Sequence, residues 1–206
     1  MESVVPLFFP VTHDIFIASG FPHLLMADSI STQVRLCPVL ESELGRINEL
    51  CNIPEIAEHF ESIPPVSMEA TMLLWSYIQS GIVSLWCMHY KNRIIGGAGF
   101  YSQPPGTRLS HSATFFLYIE PAYWGMSIGT KAIQFLEDEV SKRGFIRMEC
   151  QVADTNPRAV CLYERLGFEL EGTKKMAFYL DGKYTDLKIM GKIIWDNLAE
   201  EGLHHR

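Results

Sequence analysis

The chain has 206 residues, a length that suits one domain. Hydrophobic residues make up 48% and charged residues 20%, enough for one sizeable core and too little charge for a disordered chain. A formal net charge of -7 argues against nucleic acid as the main partner and is compatible with a cationic substrate.

The five cysteines, Cys37, Cys51, Cys87, Cys150 and Cys161, are odd in number and have no CxxC spacing. A disulfide framework or zinc site is therefore not expected, no metal is called for, and the pattern suits a reducing cytoplasm. Cys150 and Cys161 lie in apolar stretches and read as small core residues. Residues 4–26 are apolar but broken by Pro6, Pro10, Asp14, Gly20 and Pro22, which does not suit a membrane helix. They also lack the basic start of a signal peptide. Residues 1–32 read as an N-terminal arm that packs on the domain or on a second subunit, with Met26-Ala27-Asp28 as an alternative start.

The elements then follow in order. Residues 33–40 read as a strand, and the spacing of Leu44, Ile47, Leu50 and Cys51 predicts a helix from Glu41 onward. Pro54, Pro64 and Pro65 bend the next segment repeatedly, and residues 69–79 read as another helix. Two strands, 83–89 and 94–101, flank a hairpin turn at Lys91-Asn92-Arg93. Residues 113–119 (ATFFLYI) are apolar on both alternating faces, as in a strand deep in a sheet. Ile128, Ala132, Leu136 and Val140 form one stripe of a helix over 127–143, with Lys131, Gln134, Asp138 and Lys142 facing out; Gly144 stops it. A strand over 145–153 precedes a short helix capped by Asn156, with Pro157 in its first position. Two long strands, 168–180 and 183–194, surround an Asp181-Gly182 turn, and residues 195–206 form a tail. This order predicts a mixed α/β sheet with helices on both faces.

The chemistry is carried at the join between strand 113–119 and the helix after it. There the chain reads Tyr118-Ile119-Glu120-Pro121-Ala122-Tyr123-Trp124-Gly125-Met126-Ser127-Ile128-Gly129-Thr130. Small residues let backbone approach a ligand, and the free amides at the helix start favour an anion such as a pyrophosphate. Taken alone, the segment reads equally as an ordinary strand–helix turn. About thirty residues on, Asn156-Pro157-Arg158-Ala159-Val160-Cys161-Leu162-Tyr163-Glu164-Arg165-Leu166-Gly167-Phe168 resembles NxxAxxLYExLGF, the second signature of the GCN5-related N-acetyltransferases. The earlier loop resembles that family's [QR]xxGx[GA], and the resemblance runs from residue 33 to 194. Glu171-Gly172, Tyr179, Asp181-Gly182-Lys183-Tyr184, Asp186 and Met190 are similar to the branch of polyamine and ribosomal-protein N-terminal acetyltransferases. Two departures stand out: Trp124 replaces Gln or Arg, and Ser127 replaces the central glycine.

The resemblance implies the acyl-CoA N-acyltransferase fold, a mixed and mostly antiparallel sheet flanked by helices, over residues 33–194. It implies a cytoplasmic enzyme that moves an acetyl group from acetyl-CoA, as co-substrate, to a primary amine by direct attack. The acceptor is a small molecule or a peptide N-terminus; no membrane or nucleic-acid partner is implied, and a homodimer is common in the branch. Residues Gly125, Met126, Ser127, Ile128, Gly129 and Thr130 are expected to hold the phosphates, with Trp124 and Asn156 beside the cofactor. The pantetheine arm is expected along Leu117, Tyr118 and Ile119, with the thioester carbonyl near the Ile119 amide and Tyr163 giving a proton to the leaving thiolate. Ala113 and Gln151 stand where the family often has a glutamate, so Glu149 is the first candidate base, ahead of Glu120 and His111. His59, Phe60, Glu61, Tyr179 and Tyr184 are candidates for the acceptor pocket. A non-catalytic acyl-CoA sensor on the same fold is the alternative, while an unrelated phosphate binder leaves the second signature unexplained.

Overall fold

The structure, a computed structural model, describes residues 30–194. Most of the expected arm, and the whole C-terminal tail, lie outside the described residues. Seven strands form one sheet: β1 (Arg35–Pro38), β2 (Val83–Tyr90), β3 (Arg93–Ser102), β4 (Ser112–Ile119), β5 (Arg147–Ala153), β6 (Glu169–Leu180) and β7 (Lys183–Ile193). Their spatial order is β1-β2-β3-β4-β5-β7-β6, with every neighbouring pair antiparallel except β4 and β5. The helices are α1 (Leu44–Cys51), α2 (Pro54–Ala57), α3 (Met68–Gln79), α4 (Ile128–Lys142) and α5 (Pro157–Arg165). Among the described residues no helix is long and apolar enough to cross a membrane, and no group of His, Cys, Asp and Glu has the arrangement of a metal site.

The alternation of side chains along a strand explains the two layers of helices. Phe115 and Leu117 of β4 enter the core shared with α4 and α5, where Ile128, Ala132, Leu136, Val140 and Leu162 pack. Phe116 and Tyr118 point the other way, into the core built on Leu44, Ile47, Leu50, Ile56 and Leu74. Both faces of β4 are thus dry, which is why its sequence lacks polar alternation. Burial on this scale contributes about 25 cal/mol for each Å² of apolar surface removed from water.

The glycines of β3 serve that packing. A Cβ on Gly97 would lie 2.5 Å from the ring and hydroxyl of Tyr118, and one on Gly99 would lie 2.7 Å from the Phe116 ring. Only hydrogen at these positions lets the two rings lie across the neighbouring strand. The hairpin turns follow the sequence closely. Lys91 and Asn92 (φ 45° and 61°), and Asp181 and Gly182 (φ 49° and 79°), take the left-handed geometry that suits two-residue hairpins.

Two local readings are corrected. Cys161 is exposed on α5 rather than buried in the core. Lys131, read as facing out, instead reaches back to the helical turn at residues 30–33. Its Nζ donates to the carbonyls of Ser31 and Val34 at 2.8 and 2.6 Å. A flexible side chain can leave its predicted face to satisfy backbone acceptors, which periodicity does not record.

Candidate active site

The parallel pairing of β4 with β5 covers only Ser112–Arg147, Ala113–Met148 and Thr114–Glu149. Past that point β4 stays paired with β3 as far as Ile119, and β5 with β7 as far as Ala153. The sheet therefore opens between two strands that are each secured on their outer side. Glu120 N–H donates to Ile95 O at 2.7 Å, opposite it in the ladder. Antiparallel ladders alternate, so the backbone groups of Leu117 and Ile119 turn away from β3, toward the opening. The Ile119 carbonyl accepts the Trp124 indole N–H at 2.7 Å. Trp124 thus pins the following loop to the end of β4, a function for the residue that departs from the family pattern.

The loop itself is built on left-handed backbone. Gly125 has φ 76° and Ser127 has φ 57° and ψ 11°. The second value explains why glycine is usual there: an L-residue in this region costs about 1–2 kcal/mol. Ser127 stands at the N-cap of α4, yet its side chain caps no amide. The first amides of α4 have no acceptor within the helix, so they and the positive end of its dipole face outward. Gly129 lies where α4 meets α5; a Cβ there would sit 3.2 Å from Leu162.

Opposite the loop, α5 starts with Asn156 Oδ1 accepting the Ala159 N–H at 3.0 Å. Asn156 is wholly buried, and its Nδ2 donor has no partner among the described residues. Two turns on, Tyr163 is 1% exposed and packs edge-on against Phe115, with ring centroids 5.3 Å apart. Arg158 lies over the Trp124 ring at 5.9 Å.

These parts enclose one cleft of about 630 Å³, open mouth included. Leu117, Tyr118 and Ile119 form one wall; Trp124, Gly125, Met126, Ile128 and Gly129 form the floor; Tyr163 stands with them. Nine of the expected cofactor residues therefore meet at one surface. Ser127, Thr130 and Asn156 adjoin that surface without lining it. Glu55, His59, Tyr123 and Arg158 also line it. Of these four, His59 is among the sequence candidates for the acceptor pocket; Tyr123 and Arg158 lie within the two motif segments, and Glu55 lies in neither.

The expected bases sit elsewhere. Glu149 is not on the cleft wall. Its carboxylate accepts from Arg147 Nη2 at 3.0 Å and faces the Thr114 hydroxyl at 3.4 Å. Arg147 also holds Glu171, whose carboxyl lies below its usual range because of that hydrogen bond. Glu120 is held by Arg46 and Arg93 at 2.8 and 2.6 Å. His111 is an exposed loop residue. Burial pushes the Glu61 carboxyl up, with Lys174 opposing, but it too lies off the cleft wall. The rings of Tyr179 and Tyr184 pack against each other at a tilt, centroids 4.9 Å apart, beside the last turn, and neither lines the cleft.

A model of the acetyltransferase (GNAT) family matches residues 53–168, more than half of the chain. The chain belongs to the GNAT family. Among curated GNAT relatives, the [ribosomal protein bS18]-alanine N-acetyltransferase of Escherichia coli is 32% identical over 71 residues, covering 34% of this chain and 47% of that protein. The spermidine N(1)-acetyltransferase of Vibrio cholerae is 32% identical over 83 residues, 40% of this chain and 48% of that protein. The chain thus spans about half the length of these relatives. Solved structures share the GNAT fold over more of it. An N-acetyltransferase from Staphylococcus aureus Mu50 superposes with a TM-score of 0.72 at 16% identity, covering 79% of this chain and 99% of that one. The V. cholerae spermidine N-acetyltransferase in complex with CoA and spermine gives 0.71 at 24% identity, covering 79% and 96%. The GNAT match includes both the loop and α5, the elements that meet at the cleft.

Proposed function

We propose that this GNAT protein is an N-acetyltransferase that moves an acetyl group from acetyl-CoA to a primary amine by direct attack. The single observation that carries the reading is the opening between β4 and β5, with uncapped helix amides at one end and a buried phenol at the other. The fit to a CoA thioester rests on the chain's own donors. The amides from Gly125 to Thr130 suit a diphosphate, and Arg158 adds a fixed positive charge beside them. Asn156 Nδ2 is a buried donor at the adjoining face. The amides of Leu117 and Ile119 suit an extended amide-bearing arm, in the manner of an added strand. Acetyl-CoA, when bound, supplies an activated acyl group whose carbonyl oxygen gains negative charge as an amine approaches. The Ile119 N–H faces the opening and can stabilise that charge.

Tyr163 is the proposed acid. A phenol ordinarily titrates near pH 10, so at neutral pH it holds a proton to give to a thiolate. The acceptor class includes small amines, polyamines, amino acids and protein N-termini; the named relatives are acetyltransferases of an alanine of ribosomal protein bS18 and of spermidine. A cytoplasmic site of action fits the reduced cysteines expected there.

The test is to incubate the protein with acetyl-CoA and a panel of polyamines, amino acids and N-terminal peptides, following free thiol. Turnover on at least one amine is expected. Tight acetyl-CoA binding without turnover on any of them would favour a non-catalytic sensor. Tyr163→Phe keeps the ring that packs on Phe115 and removes only the hydroxyl. Turnover should fall about 100-fold with acetyl-CoA affinity retained; unchanged turnover removes Tyr163 from the role.

A further inference from the structure

An alkyl ammonium must lose a proton before it can attack, and the acids expected to accept it are engaged elsewhere. Glu149 is tied to Arg147, Glu120 to two arginines, and Ala113 and Gln151 carry no base. The cleft wall nonetheless holds two side chains with a basic atom, the Glu55 carboxylate and the His59 imidazole. His59 lies in the turn after α2, lines the cleft, and has a side chain only 3% exposed. Its Nε2 lies 3.0 Å from Glu58 Oε1. Glu58 is the more exposed of the two, with a side chain 38% accessible.

We infer that His59 accepts the proton of the acceptor amine, with Glu58 orienting the ring and holding the imidazolium. The inference rests on the acetyltransferase reading of the same cleft. α2 packs on the face of β4 that carries Phe116 and Tyr118, while α5 carries Tyr163 on the other face. Base and acid therefore approach the opening from opposite sides of the sheet. An incoming amine on the α2 side need not cross the cofactor loop. The other titratable or charged groups on the cleft wall are Glu55 on α2, Tyr118 on β4, Tyr123 after it, and Arg158 and Tyr163 on α5. Of these, Glu55 is exposed on α2, whereas His59 is buried at the wall with Glu58 beside its ring.

The protons balance. The ammonium gives one proton to His59, and its nitrogen bonds to the acetyl carbon as the carbon–sulfur bond breaks. The sulfur takes the Tyr163 phenolic proton. The second proton leaving nitrogen restores the phenol, and His59 passes the first to solvent past Glu58. One amide, one thiol and one free proton result.

The test is kcat/KM against pH, from 6 to 10, with acetyl-CoA and two acceptors: an alanine-initiated peptide and spermidine. In the wild type the rate should rise through the imidazole window. In His59→Gln it should be lower by about 100-fold at neutral pH, with only the rise set by the amine itself remaining. Added imidazole should restore part of the rate to His59→Ala, and acetyl-CoA affinity by calorimetry should match the wild type. His59→Gln with the wild-type rate and profile would overturn the assignment. A rate loss matched by lost acetyl-CoA affinity, with no imidazole rescue, would overturn it in favour of a packing role. A wild-type protein that turns over neither acceptor nor any other amine would instead bring down the acetyltransferase reading, and this inference with it.

Discussion

Ser127 offers a direct reading of the loop geometry through stability. Its φ of 57° places a residue with a Cβ in left-handed backbone, at a cost of about 1–2 kcal/mol. Ser127→Gly removes that cost but adds about 0.5–1 kcal/mol of chain entropy in the unfolded state. The net expectation is a gain of about 0.5 kcal/mol. For a protein of this size, 1 kcal/mol moves Tm by about 2–4 °C, so the gain is about 1–2 °C. Ser127→Val sets a β-branched side chain in the same backbone and should lose about 1–2 kcal/mol, or about 2–8 °C. Ser127→Ala should lie within a few tenths of a kcal/mol of the wild type, since about the same Cβ strain remains and the hydroxyl caps no amide. Thermal unfolding of the four proteins, read by circular dichroism, gives the order. Gly above Ser, with Val well below, is expected; acetyl-CoA affinity by calorimetry should fall for Val as the loop is forced out of shape. Equal melting temperatures for Val and Ser, or a destabilised Gly variant, would refute the left-handed loop at this position.

Further outcomes follow from the same geometry. Gly97→Ala would place a methyl 2.5 Å from the Tyr118 ring, between two packed strands, and should cost about 1–3 kcal/mol in urea unfolding. Glu171 gives a pH signature. Its folded pKa is depressed by the hydrogen bond from Arg147, so its contribution is present above the ordinary carboxylate range and is lost as pH falls through the folded value. The stability gap between wild type and Glu171→Gln, measured by urea unfolding, should therefore shrink as pH drops from 6 toward 3.

Much of the fold was legible because the local signals were strong and mutually consistent. The dry alternation of residues 113–119 could only suit a central strand, and it became β4. Pro157 and Asn156 set the start of α5 where they stood, and Asp181-Gly182 set the last turn. The cleft wall along β4 and the loop after it was legible for the same reason: its residues are neighbours in sequence, along one strand, one loop and one helix start. The rest of the lining was not. Glu55, His59 and Arg158 come to the cleft from α2 and α5, on opposite faces of the sheet, and their approach depends on how those helices pack. Glu149 illustrates the limit. Its type and strand suited a base, but whether its carboxylate faced an amine or an arginine depended on a partner 22 residues away, Glu171, and on Arg147 between them.

The sequence by itself determined the order of elements and the family, because backbone preference, periodicity and contiguous motifs are local properties of the chain. Only the tertiary structure decided that β4 and β5 part after Thr114 and Glu149, that Trp124 closes the loop onto Ile119, and that Glu149 is spent on Arg147 while His59 reaches the cleft. Those outcomes depend on strand pairing and on which way side chains turn in space, even for residues as near in sequence as Arg147 and Glu149 or Ile119 and Trp124, because electrostatics and hydrogen bonding act through space rather than along the chain.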